Sequence, residues 1–402
     1  MSKTSLAVDH LRGFAILGVL AFHSSIAYLN SQPPSALPFD SPPYGWAANP
    51  IVDADRWIGF DLFCAFQFLY LMQLMFFLSG LFVWPSLERK GAGAFLYDRF
   101  LRLGVPFLLG TYLLMPLAYY PVYRVTAVDP SASAFWSHWT ALPFWPSGPM
   151  WFLWFLLALN LVAAAMHRLV PRLGGFLARL SGNGGAEPGR FFIALVCVSA
   201  LAYLPLAAVF SPWQWVELGP FSLQPGLGPQ YVLYFFAGLA VGTRGLERGL
   251  LGSDGMLARR WAFWLAGAIA SFVLWIVPTA LIVRGRGAAL PGLQIVADLG
   301  VVLFAASACF GMAALFLRFA GTRRPFFDSV SENAYGIYLF HYVFVIWTQY
   351  LLLGVALPAV AKGVIVFAVT LTLSWAATLA MCRIPIGARL MRGKRRELAR
   401  GT

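Results

Sequence analysis

The feature that most constrains this chain of 402 residues is the recurrence of apolar stretches about as long as a bilayer is thick. A helix that crosses the hydrocarbon core needs about 20 mainly apolar residues. Hydrophobic residues make up 60% of the chain, charged residues make up 11%, and the mean hydropathy is +0.72, all far from the averages of soluble domains. The sequence therefore predicts an all-α fold, a polytopic transmembrane helical bundle of about ten spans. The predicted windows are residues 9–30, 57–84, 101–121, 150–168, 191–211, 230–246, 261–283, 293–317, 332–353 and 363–383.

The distribution of basic residues predicts the orientation of this bundle, because cytoplasmic loops carry an excess of Lys and Arg. With the N-terminus placed in the cytoplasm, 24 of the 29 Lys and Arg residues fall in inward-facing segments. The five in outward segments are Arg56, Arg124, Arg284, Arg286 and Lys362. We therefore expect both termini in the cytoplasm and a multi-pass protein of the inner (plasma) membrane. The net charge of +13 then reports topology and not nucleic-acid binding.

The chain is predicted to form one integral-membrane domain over residues 1–402, with a short basic cytoplasmic tail at 384–402. No polar stretch is long enough for a second folded domain. The sequence has no Gly-rich phosphate loop and no Cys/His cluster of the zinc type. We accordingly expect no metal site and no tightly bound cofactor.

The first apolar segment carries a basic residue at its start and an imidazole within it. Ten residues separate Arg12 from His23, and almost all of them are apolar. At about 1.5 Å per helical residue, His23 would lie roughly 16 Å above Arg12, near the middle of the bilayer. An ionisable side chain at that depth is expensive, and histidine exchanges a proton near neutral pH. His23 is therefore a candidate catalytic residue, although a histidine that only forms a structural hydrogen bond is the alternative.

Two further groups accompany His23. Arg99 and Arg102 lie three residues apart, on one helical face just before the third span, and guanidinium groups suit phosphate or carboxylate ligands. Ordinary positive-inside charge is the alternative for this pair. In the ninth span, Tyr335, Tyr338 and His341 repeat every three residues, with His341 at a depth similar to that of His23.

These segments resemble elements of a known family. In chain order they are Asp9-x-Leu11-Arg12-Gly13 followed by His23, Phe76-Phe77-Leu78-Ser79-Gly80, Arg99-x-x-Arg102, Trp151-Phe152-Leu153, and Tyr335-Gly-Ile-Tyr338-Leu-Phe-His341. Together they resemble the integral-membrane acyltransferase 3 family across nearly the whole chain, and the chain looks most similar to the branch that modifies periplasmic glucans. Two positions depart from the family pattern: His10 stands where Gly is common, and Ala334 stands where Ser often precedes the first Tyr.

The resemblance implies an enzyme that takes an acyl group from a cytoplasmic acyl-CoA-type donor and places it on a hydroxyl, usually of a sugar or glycan, at the outer face. The partners would be acyl-CoA, a carbohydrate acceptor and the lipid bilayer. In this hypothesis His23 is the general base and Asp9 orients Arg12.

The remaining candidates would serve the donor and the acyl group. Arg12, Arg99 and Arg102 would bind the donor's phosphates. Tyr338 or His341 would donate to the developing oxyanion or shape the acyl channel.

A proton-coupled secondary transporter of an anionic solute is the alternative, with the histidines relaying protons and the arginines binding the solute. The lack of an internal repeat counts against it. Tryptophans are frequent in the outward loops, where they either form an interfacial belt or stack on sugar rings. The identities of the acyl group and of the acceptor stay open.

Overall fold

A computed structural model describes residues 2–170, 172–180, 187–247, 249–286 and 292–392. The first half of the chain forms nine α-helices. They are α1 (Lys3–Ile26), α2 (Ile58–Phe68), α3 (Leu71–Gly80), α4 (Val83–Lys90), α5 (Ala92–Arg99), α6 (Val105–Leu109), α7 (Met115–Thr126), α8 (Ala132–Ala141) and α9 (Trp151–Leu169). Short 3₁₀-helices lie at Gly45–Ala47 and Gly148–Met150.

The second half adds the remaining helices and one small antiparallel hairpin. These elements are α10 (Leu173–Leu180), α11 (Pro188–Ala207), β1 (Val216–Leu218), β2 (Phe221–Leu223), α12 (Gly228–Gly242), α13 (Met256–Arg259), α14 (Trp261–Leu281), α15 (Leu293–Phe319), α16 (Pro325–Leu351), α17 (Ala359–Met381) and α18 (Pro385–Arg392). The helix α18 covers the start of the predicted basic tail, whereas residues 393–402 of that tail lie outside the described part of the chain.

The all-α membrane fold predicted from the sequence is confirmed. Eight helical stretches in the described residues are long and apolar enough to cross a membrane, and each coincides with a predicted span. The other two predicted spans correspond to α12, which has only 15 residues, and to α16, whose 27 residues include several tyrosines and His341. The count of ten spans and the orientation stay predictions. We name the two ends of the bundle after the predicted orientation. The inner end lies near residues 91 and 320–324, and the outer end lies near residues 27–57 and 208–227.

Close backbone packing fixes α16 between α1 and α17. A Cβ at Gly13 of α1 would lie 2.6 Å from Ser331 Oγ of α16, and a Cβ at Gly336 would lie 2.3 Å from Thr378 of α17. Small residues let membrane helices approach in this way. The contact aligns α1 with α16, which matters because each carries a candidate histidine.

A second helix pair, α3 with α12, packs even more closely. A Cβ at Gly80, Gly238 or Gly242 would lie 2.0–2.1 Å from a carbonyl oxygen of the other helix. A buried hydrogen bond of 3.1 Å from Gln73 Nε2 to Gln230 Oε1 adds polar specificity to the same interface. Only glycine fits at these three positions, so the pair forms a rigid part of the bundle.

The third span is interrupted by two π-helical turns, Phe100–Gly104 and Gly110–Leu114. A proline follows each turn. In an α-helix the carbonyl of Arg102 would accept from the nitrogen of Pro106, which has no hydrogen. The hydroxyl of Tyr335 donates to this carbonyl instead. The π-turns therefore leave backbone acceptors inside the bundle, and a side chain from α16 takes up one of them.

Ion pairs and backbone hydrogen bonds anchor the connection between α1 and α2 at the outer end. Lys362, which has no exposed surface, places Nζ 2.8–2.9 Å from both carboxylate oxygens of Asp53 and 2.8 Å from Asp55 Oδ2. Arg56 donates to the carbonyl oxygens of Gln32 and Pro33, at 2.8 and 2.5 Å. Two of the five outward cations are thus structural.

Candidate active site

The two candidate histidines meet towards the outer end of the bundle, where His23 lies in the last turn of α1 and not near mid-span as expected. His23 on α1 and His341 on α16 are 318 residues apart in the chain, yet His341 Nε2 lies 3.3 Å from His23 Nδ1. Their ring centroids are 5.1 Å apart. Gln349 locks the same helix pair by donating from Nε2 to the carbonyl oxygen of His23, at 2.8 Å. The predicted common depth of the histidines is therefore realised as direct contact.

The backbone sets the hydrogens of this histidine pair. His341 Nδ1 lies 2.5 Å from the carbonyl oxygen of Tyr338, and His23 Nδ1 lies 2.9 Å from that of Val19. A carbonyl oxygen only accepts, so the Nδ1 atom of each ring carries a hydrogen. In the neutral form His341 Nε2 then accepts from His23 Nδ1, and Nε2 of His23 is left with a free lone pair. In this arrangement the unprotonated nitrogen of His23 is the one that points away from His341.

Accessibility distinguishes the two rings. His341 has no exposed surface, whereas His23 keeps partial exposure within its span. The edges of Phe22 and Tyr342 flank His23, with ring centroids at 5.4 Å in both cases. Of the pair, His23 is the ring with exposed surface, while His341 is enclosed by the bundle.

The three candidate arginines gather at the inner end. The positive charges of Arg102 and Arg12 both act on Arg99. Within the described residues, Nε of Arg102 is buried without a hydrogen-bond partner. The Arg99 guanidinium lies 5.0 Å from the ring centroid of Phe95. Neighbouring guanidinium groups, one of them with an unused donor, are the side chains that suit phosphate or carboxylate ligands.

Tyr335 connects this arginine cluster to α16. Its hydroxyl donates to the backbone carbonyl of Arg102, and the Arg102 guanidinium lies 5.9 Å from its ring centroid. Asp9 approaches Arg12 less closely, with Oδ1 3.4 Å from Nη1 on an exposed surface. An exposed pair at this distance is a weak constraint. Arg102 is therefore held firmly, whereas the orienting role of Asp9 rests on a long contact.

Tyr338 and His341 use their donors within the protein. The Tyr338 hydroxyl donates to the carbonyl oxygen of Pro149, and His341 donates from Nδ1 to the Tyr338 carbonyl. In this conformation neither donor faces open space where a substrate oxygen would lie. The two residues are placed to hold the histidine pair and the start of α9, which begins at Trp151.

The structure adds two features that the sequence reasoning missed. His10, noted only as a departure from the family pattern, is buried, with Nε2 2.8 Å from Asp328 Oδ1 and Nδ1 2.9 Å from the Ala320 carbonyl. At the outer end, the Ser222 hydroxyl donates to Glu217 across the hairpin. His10 had a signal, an ionisable residue within the first predicted span, but a single glutamate in a loop gave none.

The helical bundle, with its contacting histidine pair and arginines at one end, is that of a multi-pass membrane protein, and the comparison with known families identifies it as an acyltransferase. A family model described as an acyltransferase domain matches residues 5–379, nearly the whole chain. The protein belongs to the acyltransferase 3 family. No match to a curated protein or to a solved structure was found.

Proposed function

We propose that this membrane acyltransferase moves an acyl group from an acyl-CoA-type donor, bound at the inner end, to a carbohydrate or glycan hydroxyl at the outer end. The observation that carries the proposal is the His23–His341 pair, in which backbone carbonyls leave Nε2 of His23 unprotonated. Family membership favours this function over a proton-coupled transporter. Modification of periplasmic glucans remains the branch that the sequence resembles most.

The chemical step follows from the orientation of His23. The acceptor hydroxyl loses its proton to Nε2 of His23 as its oxygen attacks the thioester carbonyl carbon. The carbon–sulfur bond then breaks, the thiolate of the donor takes the proton back from His23, and the new ester leaves with the acceptor. While His23 is charged, its Nδ1 hydrogen bonds to the lone pair of His341, which stabilises the imidazolium.

The donor site is supported by the arginine cluster and by its distance from His23. Arg12 and His23 lie eleven residues apart on α1, which corresponds to roughly 16 Å along the helix. If Arg12, Arg99 and Arg102 hold the phosphates, the rest of the donor must extend over this distance to bring its thioester to His23. In this proposal Asp9 steadies Arg12, while Tyr335 fixes Arg102 through its backbone.

Replacement of His23 tests the proposal directly. We expect His23→Ala to insert and fold but to lose transfer from labelled acyl-CoA by at least about 10², the usual contribution of a general base. His138→Ala is the matched control, because His138 is exposed, lies on α8 and pairs with Asp40 instead of with either histidine. Activity of His23→Ala within a few-fold of the parent protein would contradict the general-base role.

Location in the inner membrane, with both termini cytoplasmic, belongs to the same proposal. Reporter fusions that are active only in the cytosol should signal when placed after Lys3 and after Arg400. A periplasmic signal at either site would move the arginine cluster to the wrong side for a cytoplasmic donor.

A further inference from the structure

The hairpin at the outer end is fixed both to α9 and to the segment that precedes it. Glu217 of β1 lies opposite Ser222 of β2. The backbone nitrogen of Trp145 donates to the carbonyl of Gly219 at 3.0 Å, and Trp154 Nε1 donates to the carbonyl of Ser222 at 3.2 Å. Bonds at both its turn and its second strand hold the hairpin in one position, so its carboxylate has a defined place.

A chain of hydroxyls leads to this carboxylate. Ser147 Oγ lies 2.9 Å from Ser222 Oγ, and Ser222 donates to Glu217. Because Ser222 gives its hydrogen to the carboxylate, Ser147 must be the donor to Ser222. Both serines are buried, and burial raises the pKa of Glu217. Within the described residues, the second carboxylate oxygen, Oε1, makes no hydrogen bond, so this cluster retains one strong acceptor.

The cluster lies one aromatic layer away from His23. Gly148, next to Ser147, has a φ of +48°, and a Cβ there would lie 3.2 Å from the Tyr342 ring, the ring whose edge flanks His23. The Tyr342 hydroxyl lies 3.3 Å from that of Tyr119, and the charge of Glu217 reaches Tyr119. Glu217 thus stands on the outer side of the histidine pair, where an acceptor would approach.

Two unused donors lie beside the same cluster. Within the described part of the chain, Trp139 Nε1 and the Thr111 hydroxyl are buried without a hydrogen-bond partner. Trp145 lies between them: its ring is 5.6 Å from that of Trp139, and it donates from Nε1 to the Thr111 carbonyl, at 2.9 Å. Buried polar groups are normally satisfied. A ligand with several hydroxyls matches one free acceptor, two free donors and the aromatic rings between them.

We propose that Glu217, held by Ser222 and Ser147, binds a hydroxyl of the carbohydrate acceptor and positions it on the outer side of His23. This inference rests on the proposed acyl transfer and adds the acceptor subsite to it. The carboxylate accepts a hydrogen bond from a sugar hydroxyl near the one that reacts. It does not exchange the transferred proton, which His23 handles.

The test separates acceptor binding from donor binding. The purified full-length protein is assayed with acetyl-CoA and succinyl-CoA as donors and with glucose oligosaccharides as acceptors. We expect Glu217→Gln to raise the acceptor KM at least about 10-fold, because a hydrogen bond to a charged group is lost, while the donor KM stays unchanged. Glu217→Asp, which keeps the charge, should fall between the parent and the glutamine variant.

Folding controls accompany these variants. The glutamine side chain can still accept from Ser222, and burial disfavours the ionised form of Glu217, so Glu217→Gln should melt no lower than the parent at neutral pH. Glu187→Gln is the matched control, because Glu187 is exposed and its partner is Arg190. An unchanged acceptor KM in an active, folded Glu217→Gln protein overturns this inference alone. Transfer by the parent protein to none of these acceptors overturns the proposed function and this inference with it.

Discussion

At the outer end Lys362 is enclosed by Asp53 and Asp55, whereas at the inner end Arg99 has Arg102 and Arg12 as charged neighbours. The outer cation is fully buried and its charge is compensated. The inner cations have weaker compensation: Asp98, which acts on Arg99, also pairs with Lys90, and Asp9 contacts Arg12 only at 3.4 Å on an exposed surface. Fully compensated charges hold a structure together, while like charges gathered in one place suit an anionic ligand.

The largest effect is expected on stability, when the buried cation at the charge-compensated outer end is removed. Lys362→Met keeps the apolar stem but leaves the buried carboxylate of Asp53 without its cation, and removal of one member of a buried pair costs about 3–5 kcal/mol. We expect a clear drop in the melting temperature in detergent, with donor affinity unchanged in the fraction that folds. Adding Asp53→Asn should recover part of the loss. A Lys362→Met protein as stable as the parent would contradict the stabilising role of the outer ion pairs.

The inner end should respond in function and not in stability. Replacing both Arg99 and Arg102 with Lys keeps the inward charge but removes the planar, bidentate guanidinium groups. We expect normal insertion, an unchanged melting temperature and a donor kcat/KM about 10–100-fold lower. Arg89→Lys, in the last turn of α4, is the matched control. Wild-type donor affinity in the double variant would show that the pair serves topology only.

The smallest expected difference between the two ends is in their response to salt. Partly exposed charges are screened, since the Debye length falls from about 10 Å at 0.1 M to about 3 Å at 1 M ionic strength, while buried pairs are screened much less. We expect the donor KM to rise several-fold over this range and the melting temperature to change little. The opposite pattern is a melting temperature that falls with salt and a constant donor KM. It would contradict both the structural role of the outer charges and the donor-binding role of the inner charges.

The sequence predicted membrane helices because apolar length is a local property, and eight of the predicted spans coincide with such helices. The interval from Arg12 to His23 was a poorer guide: His23 was expected near the middle of its span, but α1 begins at Lys3 and ends at Ile26, so His23 lies in its last turn. The sequence also could not predict the contact of His23 with His341, which depends on the packing of α1 against α16 through Gly13 and Ser331. Spacing along a chain does not report which helices become neighbours.

The acceptor side was beyond sequence reasoning for a related physical reason. Glu217 gains its surroundings from the hairpin register and from Ser147, 70 residues earlier in the chain. Likewise, Tyr335 was placed on the correct helical face, but its partner is the Arg102 carbonyl, which becomes available only because Pro106 has no hydrogen to give it. Backbone acceptors freed in this way leave no mark in a hydropathy profile.

The π-helical turns of the third span also affect how this chain tolerates changes in length. In an α-helix such as α15, deletion of one residue turns everything beyond it by about 100° and moves its apolar face. A π-turn contains one residue more than an α-turn, so losing a residue within Phe100–Gly104 or Gly110–Leu114 lets the helix close while both flanks keep their facing. The first turn contains Arg102 of the proposed donor site, so a deletion there would also displace that arginine relative to Arg99. The second turn, Gly110–Leu114, carries no candidate site residue, and relatives of this protein are expected to lack one residue there more readily than elsewhere in the span.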